Sequence, residues 1–160
     1  MLNSRPVFKN KYFIFIIIFF TFLLDRLIKL MIIKKESFFI IQDFLKINYY
    51  ANWGIALSLP VSQYIIYPLV VLIMLIIFYY FYLSLKKNNY LMIWSFGLIF
   101  VGAFSNLLDR FRFGHVIDYV NFVGRFPVFN LADVMIVCGI FLFLVNEINK
   151  NRRKKIYKKT

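Results

Sequence analysis

Apolar and polar residues segregate into long blocks along this chain. Four apolar runs, at about residues 12–33, 63–85, 90–108 and 131–148, are separated by short segments that hold most of the charges. A helix rises 1.5 Å per residue, so about 20 apolar residues cross the ~30 Å hydrocarbon core of a bilayer. The pattern predicts four transmembrane helices. The first run is uncharged over Tyr12–Leu24 and is then interrupted by Asp25, Arg26 and Lys29. Arg5, Lys9 and Lys11 precede it, as they would a cleaved signal peptide. The apolar stretch is longer than the usual ~7–15 residues, however, and no small-x-small cleavage site follows, so a retained helix is expected. Pro68 lies near the start of the second run, and Lys86–Asn89 makes a polar turn into the third.

Composition agrees with a bilayer as solvent. Hydrophobic residues make up 62% of the 160, and the mean hydropathy is +0.73. A single soluble core of this length could not bury that much apolar surface. The charge is strongly basic, 20 Lys+Arg against 7 Asp+Glu. Because the cations cluster beside apolar runs, they read as topology signals rather than as a nucleic-acid footprint. The N-terminal segment, the 86–89 turn and the tail after 148 hold 12 cations, against 6 in segments 34–62 and 109–130. Cation-rich loops stay in the cytoplasm, which predicts cytoplasmic termini and two extracytoplasmic segments. A single integral membrane domain, 1–160, with a basic cytoplasmic tail at 149–160, is the expected organisation. Within the first outer segment, Ser37–Ser58 is rich in aromatic and β-branched residues, which favours a small extracytoplasmic β-sheet. Neither helical hairpin repeats the other, which weakens an inverted-repeat transporter.

Candidate chemistry begins with seven carboxylates: Asp25, Glu36, Asp43, Asp109, Asp118, Asp133 and Glu147. Glu36, Asp43 and Glu147 read as solvated charges. The other four lie within or at the outer ends of the spans, where ionisable groups are costly and a functional role is the default hypothesis. Asp25 and Lys29 are spaced i, i+4 and share a helix face; a neutral intramembrane ion pair is favoured over direct chemistry. Asn52-Trp53-Gly54-Ile55-Ala56 combines small residues with an amide that can bind a peptide backbone, or simply makes a tight turn. Gly102-Ala103-Phe104-Ser105-Asn106 suits close helix packing. Asp109 and Arg110, just beyond it, read most simply as a local salt bridge and cap.

Asp118 stands in Gly114-His115-Val116-Ile117-Asp118-Tyr119, and Asp133 follows Phe129-Asn130-Leu131-Ala132. Asn130 with Asp133 three residues on is also a helix-start pattern, so a structural role for Asp133 stays open. Both acids map to the outer face and are joined by one connector containing Gly124 and Pro127. Two carboxylates held close titrate apart, so one can activate water while the other, still protonated, polarises a carbonyl. Other chemistries lack parts. The sole histidine, His115, cannot build a multi-histidine metal site. A pairing of it with Ser58 or Ser105 is formally open but has no nucleophile-elbow motif around it. No glycine-rich phosphate loop is present. The sole cysteine, Cys138, excludes an internal disulfide and is expected to be a buried, inert small hydrophobe. A small four-helix transporter or ion channel using the buried aspartates is the main rival reading, and a non-catalytic assembly factor a second.

The set Asp25-x-x-x-Lys29, Asn52-x-Gly54-x-Ala56, Asn106-x-x-Asp109-Arg110, Gly114-x-Val116-x-Asp118 and Phe129-Asn130-x-Ala132-Asp133 resembles the bacterial lipoprotein signal peptidases, or signal peptidase II. It spans about Leu24–Gly139 in order. The resemblance implies an aspartic endopeptidase that removes the signal peptide of a diacylglyceryl-modified prolipoprotein, just before the lipidated cysteine. Asp118 and Asp133 would be the catalytic pair. Asn52, Gly54, Asn106, Asp109, Arg110, Asn130, Ala132, Asp25 and Lys29 would line the site or support it. The implied fold is four transmembrane helices with an extracytoplasmic β-cradle, in a monomer of the bacterial cytoplasmic membrane that needs no metal or cofactor. Two positions depart from the family pattern: Ser105, where glycine is usual, and Leu57, where phenylalanine is frequent. Both are expected to be small changes of packing.

Overall fold

A computed structural model describes residues 10–34, 38–41, 44–54, 63–123 and 126–157. Glu36, Asp43, Ala56, Leu57, Ser58 and Gly124 therefore lie outside the described residues. The order is α1 (Lys11–Ile33), β1 (Phe38–Ile41), β2 (Leu45–Asn52), α2 (Gln63–Lys86), α3 (Tyr90–Phe113), β3 (Val116–Phe122) and α4 (Leu131–Tyr157). Helix starts follow local chemistry: the side chains of Asn10 and Asn89 accept hydrogen bonds from the Tyr12 and Met92 N–H groups. Gly114 ends α3 with φ 77°, a left-handed conformation natural to glycine, and so turns the chain directly into β3.

Three helical stretches, Tyr64–Lys86, Tyr90–Phe113 and Leu131–Arg152, are long and apolar enough to cross a membrane. In α1 the charges of Asp25, Arg26 and Lys29 interrupt an otherwise apolar helix of 23 residues. Two helices outrun the apolar runs that predicted them. α3 continues past 108 through Asp109, which pairs with Arg26 and Lys29, and Arg110, which donates to the Gly54 carbonyl. α4 continues past 148 into the basic tail, where Lys and Arg are good helix formers and favour a helix C-terminus.

α3 is the axis of the bundle and packs against the other three helices. Its most apolar window is 44% buried, against 11% for α2 and 17% for α4, whose outward faces carry Leu72, Leu75, Phe141 and Leu144. Residues that contact lipid need no partner from protein, and these faces have the composition for that. Below the sheet, Ile14, Ile18, Ile93 and Met135 form an apolar core. α3 meets α4 closely because Gly102 and Gly139 lie at the contact, and the Ser95 hydroxyl donates to the Gly139 carbonyl at 2.8 Å. Cys138, one residue before Gly139, is consequently exposed on the opposite side of α4, not buried as expected.

The strands form one antiparallel sheet in the order β1-β2-β3. β3 was not expected from the sequence, where residues 116–122 read as part of a loop. Tyr50 pairs with Asp118 and Asn52 with Val116, so Asn52 sits diagonally from Asp118 on one face of the sheet. A bridge between Val120 and Phe129 folds the connector back and delivers the chain to α4.

The α3–α4 contact has no slack. A Cβ on Gly102 would come within 2.5 Å of the Ala132 carbonyl oxygen and 2.9 Å of Ile136. Gly102→Ala is expected to cost about 1–3 kcal/mol, the usual range for overpacking. Thermal unfolding in detergent measures this, and an unchanged midpoint would show that α4 can retreat freely.

Candidate active site

The site grows from the way four elements end at the same level. β3 alternates its side chains, so Val116 and Asp118 face one side while Ile117 and Tyr119 face the other. Asp118 is 2% exposed. Asn52 donates from Nδ2 to Asp118 Oδ2 at 2.8 Å, and Asn130 donates to Asp118 Oδ1 at 2.7 Å.

Asn130 also starts α4. Its side-chain oxygen accepts the Asp133 N–H at 2.9 Å, while Asp133 Oδ2 accepts the Asn130 N–H at 3.1 Å. This is a reciprocal capping box, so the helix-start reading of Asp133 holds. It occupies only one carboxylate oxygen. The other, Oδ1, accepts from Asn106 Nδ2 at 2.8 Å, and Asn130 in turn donates to Asn106 Oδ1 at 3.1 Å. One asparagine thus touches both carboxylates.

Electrostatics separates Asp118 from an ordinary aspartate. Burial pushes its carboxyl from 3.8 up to about 6, with a further push from the charge of Asp133. The Asn52 and Asn130 amides and the charge of Lys29 pull the other way, because they stabilise the ionised form.

Behind the pair lies a buried charge network. Lys29 Nζ sits 3.0 Å from Asp25 Oδ2 and 2.7 Å from Asp109 Oδ2. Arg26 Nη2 reaches Asp109 Oδ1 at 2.6 Å and lies 3.8 Å from Asp25. Asp25 further accepts from Ser105 Oγ at 2.6 Å, Tyr119 Oη at 3.1 Å and the Ala132 N–H at 3.3 Å. Two acids and two bases therefore neutralise each other, with their remaining hydrogen bonds supplied from α3, β3 and α4. Lys29 Nζ also donates to Asn106 Oδ1 at 3.0 Å, which ties the network to the carboxylate pair.

The sequence-selected residues divide into layers. Asn52, Asn106, Arg110 and Asp133 line a cavity of about 770 Å³, whose walls include Val70, Ala103, Leu107, Ile136 and Val137. Asp118 and Asn130 stand at its edge through their bonds to Asn52, Asn106 and Asp133. Gly54 gives its carbonyl to Arg110 Nη2 at 2.7 Å, and its N–H donates to Asn52 Oδ1 at 3.2 Å, a tight turn as well as a support. Asp25, Lys29, Asp109 and Ala132 stand a layer back. Asp109 pairs with Lys29 and Arg26, across to α1, rather than with Arg110 as expected. Successive helical residues point about 100° apart, so Arg110 turns toward the cavity instead. Its Nη1 is buried without a hydrogen-bond partner among the described residues. Glu147, remote at the far end of α4, pairs with Lys150.

Three participants were not selected from sequence. Arg26 looked like a mere interruption of α1. Ser105 was read as a packing change, yet it donates to Asp25. Tyr119, whose phenol is held well above its ordinary range by burial and by Asp25, stays neutral. It donates to Asp25 and accepts the Leu131 N–H at 2.9 Å.

Comparison with known proteins converges on one family. Residues 17–149 match the family model described as signal peptidase (SPase) II. The chain belongs to the signal peptidase II family. Lipoprotein signal peptidase of Halothermothrix orenii is 36% identical over 137 residues, covering 82% of this chain and 92% of that one. The same-named protein of Staphylococcus carnosus is 33% identical over 162 residues, covering 92% and 99%. A solved bacterial membrane enzyme superposes with a TM-score of 0.79 at 26% identity, covering 88% of this chain and 90% of its own. A second such structure gives 0.72, also at 26%. The signal peptidase II fold accounts for helices and sheet together.

Because the network is charge-balanced in a poorly solvated setting, removing one partner strands another. Lys29→Met leaves Asp25 and Asp109 with only Arg26 and is expected to cost about 3–5 kcal/mol. Equilibrium unfolding in mixed micelles measures this; a loss below ~1 kcal/mol would mean that water reaches the cluster.

Proposed function

We infer that this chain is an aspartic endopeptidase that removes the signal peptide from lipid-modified prolipoproteins, cutting before the lipidated cysteine, with Asp118 and Asp133 as the catalytic pair. The observation that carries the assignment of the pair is Asn130, which holds one oxygen of each carboxylate at the edge of a single apolar-walled cavity. Family membership supplies the substrate class, since the relatives are named as lipoprotein signal peptidases.

Two carboxylates coupled in this way share one proton. The ionised member takes a proton from water as the water oxygen attacks the scissile carbonyl carbon. The protonated member gives its proton to the carbonyl oxygen, which forms a tetrahedral gem-diol. Collapse returns a proton to the departing amine and restores the carboxyl–carboxylate pair. Arg110, whose side chain lines the cavity, would donate to a main-chain carbonyl of the bound peptide. The apolar walls from α2, α3 and α4 would take the hydrophobic stretch of the signal peptide and the acyl chains.

The remaining placement belongs to the same reading. Four helices would span the cytoplasmic membrane of a bacterium, with both termini cytoplasmic and the sheet end facing outward, as the 12-to-6 cation bias favours. The outer segments would be 34–62 and, after α3, the stretch up to 130. A monomer contains every residue the reaction uses. An ion channel is disfavoured, because its charges would be strung along a path, whereas Asp25, Asp109, Asp118 and Asp133 gather at the sheet end above an apolar core.

Asp118→Asn and Asp133→Asn should each slow release of the signal peptide from a lipidated prolipoprotein by ~10²–10⁴-fold, the range for a lost acid–base group. Mass spectrometry of the products reads the outcome. Either variant cleaving at the parent rate sinks the pair, and equal cleavage of an unlipidated precursor sinks the substrate.

The pH profile tests the electrostatics. In kcat/KM one limb should fall near pH 6, reporting Asp118 in the free enzyme. Asn52 stabilises the ionised carboxylate, so Asn52→Ala should move that limb to higher pH. A shift to lower pH, or none, contradicts the assignment.

A further inference from the structure

On the side of the charge network away from the catalytic cavity, a second cavity of about 450 Å³ opens between α1 and α3. Its polar wall is Arg26, Lys29, Asp109 and Arg112, and its apolar wall includes Leu30, Ile33, Leu108 and Phe111. Asp25 and Asp109 already balance Arg26 and Lys29. Arg112 has no such balance: it is exposed, its guanidinium lies 5.1 Å from the Phe113 ring centroid, and it makes no ion pair among the described residues. Arg26 is already engaged, through Nη1 by the Ser105 carbonyl and through Nη2 by Asp109. The cavity thus offers one excess positive charge beside an apolar wall.

Its depth fits a lipid. Phe113 is the last residue of α3, so Arg112 sits at the sheet end of the bundle, at headgroup level. Leu108, in the cavity wall, lies one helical turn deeper, and exposed Phe104 a further turn down beside Phe22, with ring centroids 6.2 Å apart. We propose that this cavity is a binding site for an anionic phospholipid, with the phosphodiester at Arg112 and an acyl chain along Leu108 and Phe104. Guanidinium groups suit this ligand, because planar N–H donors match phosphate oxygens. A zwitterionic lipid would bring its own cation against an already positive wall. The site is separate from the peptidase cavity and does not depend on which bond the enzyme cuts.

Native mass spectrometry of the purified protein, loaded with phosphatidylglycerol or phosphatidylcholine of identical chains, tests the site. The parent protein should retain phosphatidylglycerol about fivefold better, the effect of one cation near an anionic headgroup. Arg112→Gln should abolish most of that preference. Arg152→Gln, an exposed cation at the other end of the molecule, should keep it. Leu30→Trp, which fills the cavity and leaves every charge in place, should release the retained phosphatidylglycerol. Inorganic phosphate at millimolar concentration should not displace the lipid. Equal retention of the two lipids overturns the proposal. So does an undiminished preference in Arg112→Gln, an equal loss in Arg152→Gln, retention unaffected by Leu30→Trp, or displacement by phosphate.

Discussion

The rest of the molecule is arranged around the cost of burying charge. Lys29 and Asp25 are each at most 1% exposed, at the level where the helices leave the apolar core. A lone ion there would be destabilising by several kcal/mol. The chain's answer is a balanced set of two acids and two bases, with the acids' leftover valences capped by Ser105, Tyr119 and the Ala132 and Ile117 N–H groups. Asp25, Arg26 and Lys29 come from α1, Ser105 and Asp109 from α3, Ile117 and Tyr119 from β3 and Ala132 from α4, so the network forms only if these four elements arrive together. It therefore sets the register of the elements that carry the site. α1 carries neither Asp118 nor Asp133, yet through Lys29 and Asn106 it fixes where α3 presents an amide to Asp133.

This explains what could be read from the sequence and what could not. Long apolar runs and a basic bias are properties of neighbouring residues, and they predicted the helical bundle. Asn130 and Asp133, three apart, declared the capping box. Elimination among seven carboxylates made Asp118 and Asp133 the best pair for chemistry, with a helix-start role for Asp133 left open. The misses are contacts over long separations. Ser105 and Tyr119 meet Asp25 across 80 and 94 residues, and nothing local marks either as its partner. Asp109 illustrates the same limit: adjacency favoured Arg110, but helical geometry turns the two side chains to different sides of α3. Cys138 was misplaced because hydrophobicity alone cannot separate a lipid-facing position from a core one when both solvents are apolar. Ala56 and Leu57 lie outside the described residues, so the expectations attached to them stand where the sequence left them.

Family likeness and geometry contribute different things to the functional reading. The match over residues 17–149 establishes the family and with it the class of reaction. It does not explain why Ser105 is tolerated where glycine is usual. Geometry does: the hydroxyl donates to Asp25 at 2.6 Å and adds a hydrogen bond to an oxygen that already faces Lys29. The position departs from the pattern by joining the network, not by loosening the helix contact. Gly102, one turn earlier on α3, carries that contact.

The groups that touch Asp118 and Asp133 are amides, not cations, and for the proposed reaction this choice has a chemical reason. A lysine or arginine bonded directly to Asp118 would hold it ionised well below neutrality and leave no shared proton to move. Asn52, Asn106 and Asn130 supply donors strong enough to fix both carboxylates, yet neutral, so burial can still push Asp118 up to about 6. Lys29 is kept one residue away, with Asn106 between it and Asp133. The asparagine passes on the position of the ammonium group while withholding direct contact with its charge. In the proposed reaction, stability and reactivity are thereby separated by a single side chain: salt bridges lock the scaffold behind Asn106, and the shared proton would move in front of it.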